Sequence, residues 1–371
     1  MNFNLETIEK FLSNAFEIDC IDICLTQKID NEPIVYTGPG TIYQDEHGVL
    51  RLKLYSKIID TKKELSHQFK YHKPGKLIPE DNYFTLKAIE MSGTEWIADN
   101  VGVSANVFLP TGSQVIQSSL REINSIEKGS TIDKNYLFII VPGKYEIPCN
   151  KKEDLPDGSW RRNRSVFASN NIDFEFKKLD NCLIINAESA PDYLKEGTYA
   201  KFIEALSIIT GHIIRPVVVK NTQQDHSVLK IESVTNSYAN KKFPIPFEHS
   251  TTGDLHSFSS FIEKYLEAID TPFSDLFGFW HKINRAWQAD IENSSLSLGV
   301  AIEGMTKSYF GKLGLPDDEI AQQADEARKK LGNLDLGKRI KDRLLNSIGG
   351  LLNNSSPKGA LYQMAQDGLL S

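Results

Sequence analysis

Cysteine is scarce in this chain: Cys20, Cys24, Cys149 and Cys182 are the four in 371 residues. That is too few for a disulfide scaffold, and none forms a C-x-x-C pair. Cys20 and Cys24 have no histidine near them in sequence to complete a zinc site, so packing thiols are expected. Residues 1–16 carry Glu6 and Glu9 and no basic stretch ahead of an apolar core, so they do not read as a secretory leader. The longest apolar runs, such as Tyr136–Val141, are far too short to span a bilayer. These absences point to a cytoplasmic protein in a reducing compartment, with no membrane partner.

An excess of positive charge is also lacking. Lys plus Arg give 42 and Asp plus Glu 49, so 42 − 49 leaves −7. A surface of that balance does not coat nucleic acid or an anionic membrane broadly, and any nucleic-acid site must be local. No G-x-x-x-x-G-K-[ST], H-E-x-x-H, G-x-S-x-G or EF-hand loop occurs. Gly38-Pro39-Gly40 lacks a third glycine and reads as a turn. The standard NTPases, zincins and serine hydrolases are excluded, and nothing calls for a cofactor.

What is present is ordinary globular usage, 40% hydrophobic and 25% charged, long enough for two domains. Residues 33–190 are rich in β-branched and aromatic residues cut by turn formers, the pattern of an all-β sandwich or barrel. Thr41–Tyr43 and Val49–Tyr55 flank a turn ending in Gly48, where a positive φ is wanted. Further strands are expected at Tyr83–Glu90, Ala105–Leu109, Tyr136–Val141, Ile172–Lys178 and Cys182–Asn186. Between 191 and 254 the signals mix: Tyr199–Gly211 has helical spacing, Ile213–Lys220 reads as a strand, and Lys242–Phe247 cannot continue a helix.

A Ser/Thr/Gly-rich stretch at Thr251–Asp254 precedes a change of period, which sets the expected domains at 1–254 and 255–371. Phe258, Phe261, Ile262, Tyr265, Leu266 and Ile269 make the first helical stripe. Thr271-Pro272 starts a second carrying Leu276, Trp280, Ile283 and Trp287, and Leu298, Ala301, Ile302 and Met305 make a third. A fourth helix runs from Pro316 with Ala324, Ala327 and Leu331 on its apolar face. Ile340, Leu344 and Ile348 give a fifth, and Ser356-Pro357 opens a sixth. The fold class is therefore α+β: a β-rich N-terminal sandwich or barrel followed by an all-α helical bundle.

Few residues suggest chemistry. Pro156-Asp157 followed by Glu175-Phe176-Lys177 spells a loose P-D…E-x-K pattern, in which Asp157 and Glu175 would hold a metal and Lys177 would polarise water. Glu175 and Lys177 also alternate with phenylalanines as any half-buried strand would. Trp160-Arg161-Arg162-Asn163-Arg164 is the densest basic cluster, either a phosphate contact beside an aromatic or an exposed loop of charges between strands. His281 and Arg285, at i and i+4, share the wet face of their helix and could approach one ligand. Glu303 stands four residues before Lys307, an ordinary surface pair. Arg339 and Arg343 share a face with Asn346 and Ser347 that could hold a phosphate backbone or only water.

The run Leu296–Phe310, centred on Ala301-Ile302-Glu303, together with Arg343–Gly349 and Gly359–Leu370, resembles the HEPN superfamily. With Phe202–Gly211 and the hairpin at Gly48, the layout is similar to ApeA-type bacterial defence proteins. The resemblance implies an RNA-directed antiphage protein whose β domain meets a phage or host protein trigger, and whose bundles pair as a homodimer. It implies a supporting role for Glu303 near the cleft and RNA contacts at Arg339 and Arg343. HEPN ribonucleases use an R-x(4–6)-H motif in which Arg steadies phosphate and His moves a proton. No Arg here is followed five to seven positions later by His, and the family's motif is expected shortly past residue 371. The resemblance therefore implies either a shortened ribonuclease or an inactive member used for sensing or assembly. Two other readings stand beside it: a non-enzymatic module that dimerises by its bundle and binds protein or glycan through its β domain, and a metal-dependent nuclease using Asp157, Glu175 and Lys177.

Overall fold

A computed structural model describes residues 5–60, 64, 78–128, 133–154, 158–194, 197–223, 226–234, 255–268, 275–288, 291–310, 318–334 and 337–353. Asp157, Lys242–Phe247, Thr251–Asp254, Thr271-Pro272, Pro316, the helix expected from Ser356 and the matching run Gly359–Leu370 lie outside the described residues.

The α+β class holds: an antiparallel sheet is followed by a cluster of helices. The strands are β1 (Glu17–Gln27), β2 (Val35–Gln44), β3 (Leu50–Lys57), β4 (Phe84–Glu90), β5 (Glu95–Val101), β6 (Ser104–Phe108), β7 (Ser113–Leu120), β8 (Glu122–Lys128), β9 (Asn135–Pro142), β10 (Lys151–Asp154), β11 (Trp160–Ser169), β12 (Ile172–Lys178), β13 (Cys182–Ser189), β14 (Val218–Gln223) and β15 (His226–Glu232). Their order is β10-β11-β12-β13-β9-β14-β15-β8-β5-β4-β1-β2-β3-β7-β6. Only Arg121 separates β7 from β8. The same run of chain therefore bonds β3 through its first half and β5 and β15 through its second. The strands from β8 round to β7 thus close on themselves as a barrel, and β8 also starts the open sheet that ends at β10.

The barrel interior is filled by alternate residues, as period-two alternation requires. Ile23, Leu25, Ile42, Leu52, Leu54, Leu86, Trp96, Ile116 and Ile123 belong to one buried cluster. Helix α1 (Leu5–Leu12) adds Phe11, whose ring stands edge-on to Phe16 at 5.6 Å. The turn at Gly48 forms as its sequence indicates: φ is +79°, and Asp45 accepts from the backbone N–H groups of His47 and Val49. Gly38-Pro39-Gly40, expected as a turn, lies inside β2 instead. β1 bulges opposite Pro39, where the missing N–H is not called on. The two glycines let β3 come close: a Cβ on Gly38 would lie 2.0 Å from the Tyr55 carbonyl oxygen, and one on Gly40 2.2 Å from that of Lys53.

The open sheet carries its helices on one face. Phe174 and Phe176 of β12 pack on Phe202 of α2 (Thr198–Thr210) and, for Phe176, on Phe258 of α3 (Leu255–Glu267), with Phe167 of β11 joining them. Tyr265 of α3 donates to Glu204 of α2 at 2.9 Å. Helix α3 therefore belongs to the β unit. The compact units part after Leu266, past the expected boundary at 254, because the first apolar stripe of the helical region matches the phenylalanine face of the sheet.

The helical unit, described by itself, contains α4 (Leu276–Gln288) packed on α5 (Ile291–Phe310) and α6 (Asp318–Gly332) packed on α7 (Lys338–Asn353). Trp280 is buried and stacks on Phe277 at 5.6 Å, as the α4 stripe requires, but Trp287 is 47% exposed and Asn284 is buried in its stead. On α5, Ala301 is buried, while Ile302 and Val300 face outward. On α7 Ile348 is half-buried as its spacing requires, but Ile340 and Leu344 are exposed, and Lys341 and Leu345 are half-buried in their stead. No described helix is long and apolar enough to cross a membrane.

Gly40→Ala is expected to cost about 1–3 kcal/mol, because the added methyl must displace β3 backbone. Urea denaturation checks it, and an unchanged midpoint would contradict the close approach of β2 and β3.

Candidate nucleic-acid interface

Trp160–Arg164, read from sequence as a loop of charges or a phosphate contact, is the first half of strand β11. It pairs with β10, the edge strand of the open sheet. Alternation hides Asn163 and Ser165 while turning Trp160, Arg162, Arg164 and Val166 the other way. Directly opposed residues share a face, so Val166 of β11 lines up with Glu175 of β12, Asn186 of β13, Phe138 of β9 and Lys220 of β14. The next row holds Ala168, Asp173, Glu188, Tyr136 and Thr222. This is the face opposite α2 and α3, and it is open: Tyr136 is 44% and Val166 38% exposed, over a hollow of about 480 Å³.

The charges at the edge are sorted by their partners. Glu153 of β10 accepts from Lys177 Nζ at 2.5 Å through one oxygen. Through the other it accepts from Arg161 Nε at 3.0 Å and Asn163 Nδ2 at 2.5 Å. Lys177 above all, with Asn163 and Arg161, holds the Glu153 carboxyl at about 2, far below the usual glutamate range. Arg164 grips Glu175 through Nε at 2.7 Å and also through Nη2. Glu188 is held by Lys134. The acids of the open face other than Asp173 are therefore neutralised locally.

Three cations of the hairpin have no carboxylate partner among the described residues: Lys151, Lys152 and Arg162. A bulge at Asn163 in β11 puts Lys151 opposite Arg164 and Lys152 opposite Arg162, like charges face to face. Such pairs are destabilising in an empty sheet and become favourable when an anion lies between them. Lys152 Nζ also sits 3.9 Å from the ring centroid of Trp160, which is 57% exposed. Lysines on an edge strand also keep it from pairing with another sheet, but that role needs neither the arginines nor the exposed ring. A second hollow at the ends of β10 to β12 holds Arg161 and Lys177 with Glu9, Glu153 and Asp180, a mixed lining without cationic excess.

The other sequence candidates lie apart. Glu175 and Lys177 are engaged with Arg164 and Glu153, and among the described residues no three His, Cys, Asp or Glu side chains group to hold a metal. His281 is half-buried beside Phe277 and Arg285 is exposed, both on α4. Glu303 is exposed on α5, and Arg339 and Arg343 are exposed one turn apart on α7. The structure thus puts Glu303 in the first helix pair and the two arginines in the second. All four thiols are free; Cys20, Cys149 and Cys182 are buried, and burial pushes the Cys20 and Cys182 thiols up to about 11. The aromatic row Tyr136/Phe138 had no motif to reveal it; its signal is a pair of rings at i, i+2 alternating with the apolar Leu137, Ile139 and Val141.

Because the folded state lowers the Glu153 carboxyl from 4.5 to about 2, its stabilisation is complete above about pH 4.5. It is lost as pH falls toward 2. Urea titrations at about pH 6 and about pH 3 should show the wild type losing more stability than Glu153→Gln, and equal losses would refute the network. The chain matches no protein-family model, no curated protein and no solved structure.

Proposed function

We propose that this protein binds single-stranded RNA on the open face of its β unit. The observation that carries this is one continuous face on which cations of the β10–β11 edge, without a carboxylate partner among the described residues, lead onto the exposed ring of Tyr136 and the half-buried ring of Phe138. Cations track a phosphate backbone while rings stack bases, and neither needs a particular sequence. A duplex would offer no unstacked base to the rings. The local cluster also reconciles nucleic-acid binding with the net charge of −7.

RNA is the ligand class that the HEPN resemblance implies, and the wider role it implies, defence by paired chains, belongs to this proposal on the strength of Ala301-Ile302-Glu303 and Arg343–Gly349. In that reading the β unit grips RNA while Glu303, Arg339 and Arg343 serve the helical unit. Without an R-x(4–6)-H motif in these residues, the function supported is binding and not cleavage.

Fluorescence anisotropy with a labelled uridine-rich oligonucleotide, repeated across salt concentrations, tests this. The double variant Lys152→Ala/Arg162→Ala should lower the salt slope by about 1.4, two contacts at roughly 0.7 each. Tyr136→Ala should weaken binding by about 1–3 kcal/mol. An unchanged slope, or salt-independent binding of a neutral oligosaccharide in place of RNA, would overturn the reading in favour of a glycan site.

A further inference from the structure

Away from the open sheet, a hollow of about 670 Å³ lies on the barrel wall, over parts of β2, β3, β7 and β6. Strand register places its side chains. Tyr55 of β3 stands opposite Val115 of β7, and Val115 opposite Asn106 of β6; in the next row Lys57, Ser113 and Phe108 line up the same way. Directly opposed residues share a face, so these six make one surface, turned away from the buried Leu54 and Ile116. Val115 is the floor, with Tyr55 and Asn106 one strand away on either side, about 10 Å apart along the ladder. Tyr55 is 49% and Phe108 61% exposed.

The rim beside Tyr55 is pinned from within. Gln114 donates through Nε2 to Glu64 at 2.7 Å and to the Lys57 carbonyl at 3.3 Å. Glu64 in turn accepts from the Ile59 and Asp60 N–H groups, and Ile58 N–H donates to the Gly112 carbonyl at 2.8 Å. Lys53 Nζ rests 5.2 Å from the Tyr55 ring centroid without entering the hollow's lining, so the ring is held as well. A surface so fixed loses little freedom when a ligand arrives.

The lining has two exposed rings, no Asp or Glu, and a single cation, Lys57. Its other polar side chains include the amide of Asn106 and the hydroxyls of Thr37 and Ser113, none of them hydrogen-bonded among the described residues. Each of these groups both donates and accepts. A strand of phosphates calls for several cations, which this lining lacks. A purely apolar ligand would cover the amide and hydroxyls without pairing them. A sugar ring meets both demands: one face is a sheet of C–H bonds that lies on an aromatic ring, and its edge is hydroxyls that donate and accept in turn.

We propose that this hollow binds a pyranose sugar, its C–H face on Tyr55 over Val115, bordered by Phe108, with Asn106 and Ser113 taking its hydroxyls. Lys57, on the same surface, is placed to pair with a sugar carboxylate. The shared chemistry is the pyranose ring, which a neutral glycan or one built with uronic acid can each supply.

Saturation-transfer NMR titration of the full chain with cellotetraose, which is neutral, and with a hyaluronan tetrasaccharide, which carries glucuronate, tests it. Tyr55→Ala should weaken binding of the preferred tetrasaccharide about tenfold, and Phe108→Ala should weaken it in the same direction. A preference for hyaluronan that disappears in Lys57→Ala identifies a sugar acid; equal or tighter binding of cellotetraose identifies a neutral glycan. All three side chains are exposed, so an unchanged melting temperature is the check on folding. Tyr55→Ala should also leave RNA binding as it is, which separates this site from the open face. The proposal is overturned if neither tetrasaccharide binds, or if both ring variants bind like the wild type. Sugar binding that is lost in Tyr136→Ala and kept in Tyr55→Ala would overturn it too, by placing the sugar on the open face.

Discussion

The β unit depends on the continuity of β7 and β8 through Arg121. One run of chain hydrogen-bonds β3 on one side of the bend, then β5 and β15 on the other. Without that bend the barrel would keep two free edges and the open sheet would have no strand to grow from. The bend is held by Ser233, which bonds the carbonyls and N–H groups of Leu120, Arg121 and Leu50.

From that corner the open sheet extends away from the barrel core, and the extension separates its two faces. One takes α2 and α3 on a phenylalanine cluster. The other is covered only near the barrel, where Ile140, Ile184, Val218 and Ile231 join the barrel core. Beyond those residues Tyr136 and Val166 are exposed, with no described helix on them. The edge strand β10 then supplies charge where the sheet ends. A barrel for stability and an extended face for contact are thus made by one ladder of strands.

Period and turn chemistry made much of this legible before any coordinates. The hairpin at Gly48, strands β9, β12 and β13, the helix α2 and the buried Trp280 follow from alternation, positive φ and helical spacing. Other features depend on partners distant in sequence. Gly38-Pro39-Gly40 reads as a turn locally, and only the close approach of β3 and the bulge in β1 make it a strand. The phenylalanines of α3 look like those of a bundle helix until the sheet supplies Phe167 and Phe176. The basic cluster at 160–164 was visible as charge. Its use was not, because the pairing of Glu153 with Lys177 and of Glu175 with Arg164 decides which cations stay available. Glu303, Arg339 and Arg343 stand where helical spacing puts them, on exposed helix surface, and their geometry adds no contact between them.

The central claim is that RNA lies on the open face of the sheet. A 4-thiouridine oligonucleotide, irradiated on the intact chain and mapped by mass spectrometry, locates it directly. The account requires cross-linked peptides containing Tyr136–Phe138 or Trp160–Arg164. Cross-links confined to the α7 segment around Arg339 and Arg343 would contradict it and move the RNA site to the helical unit.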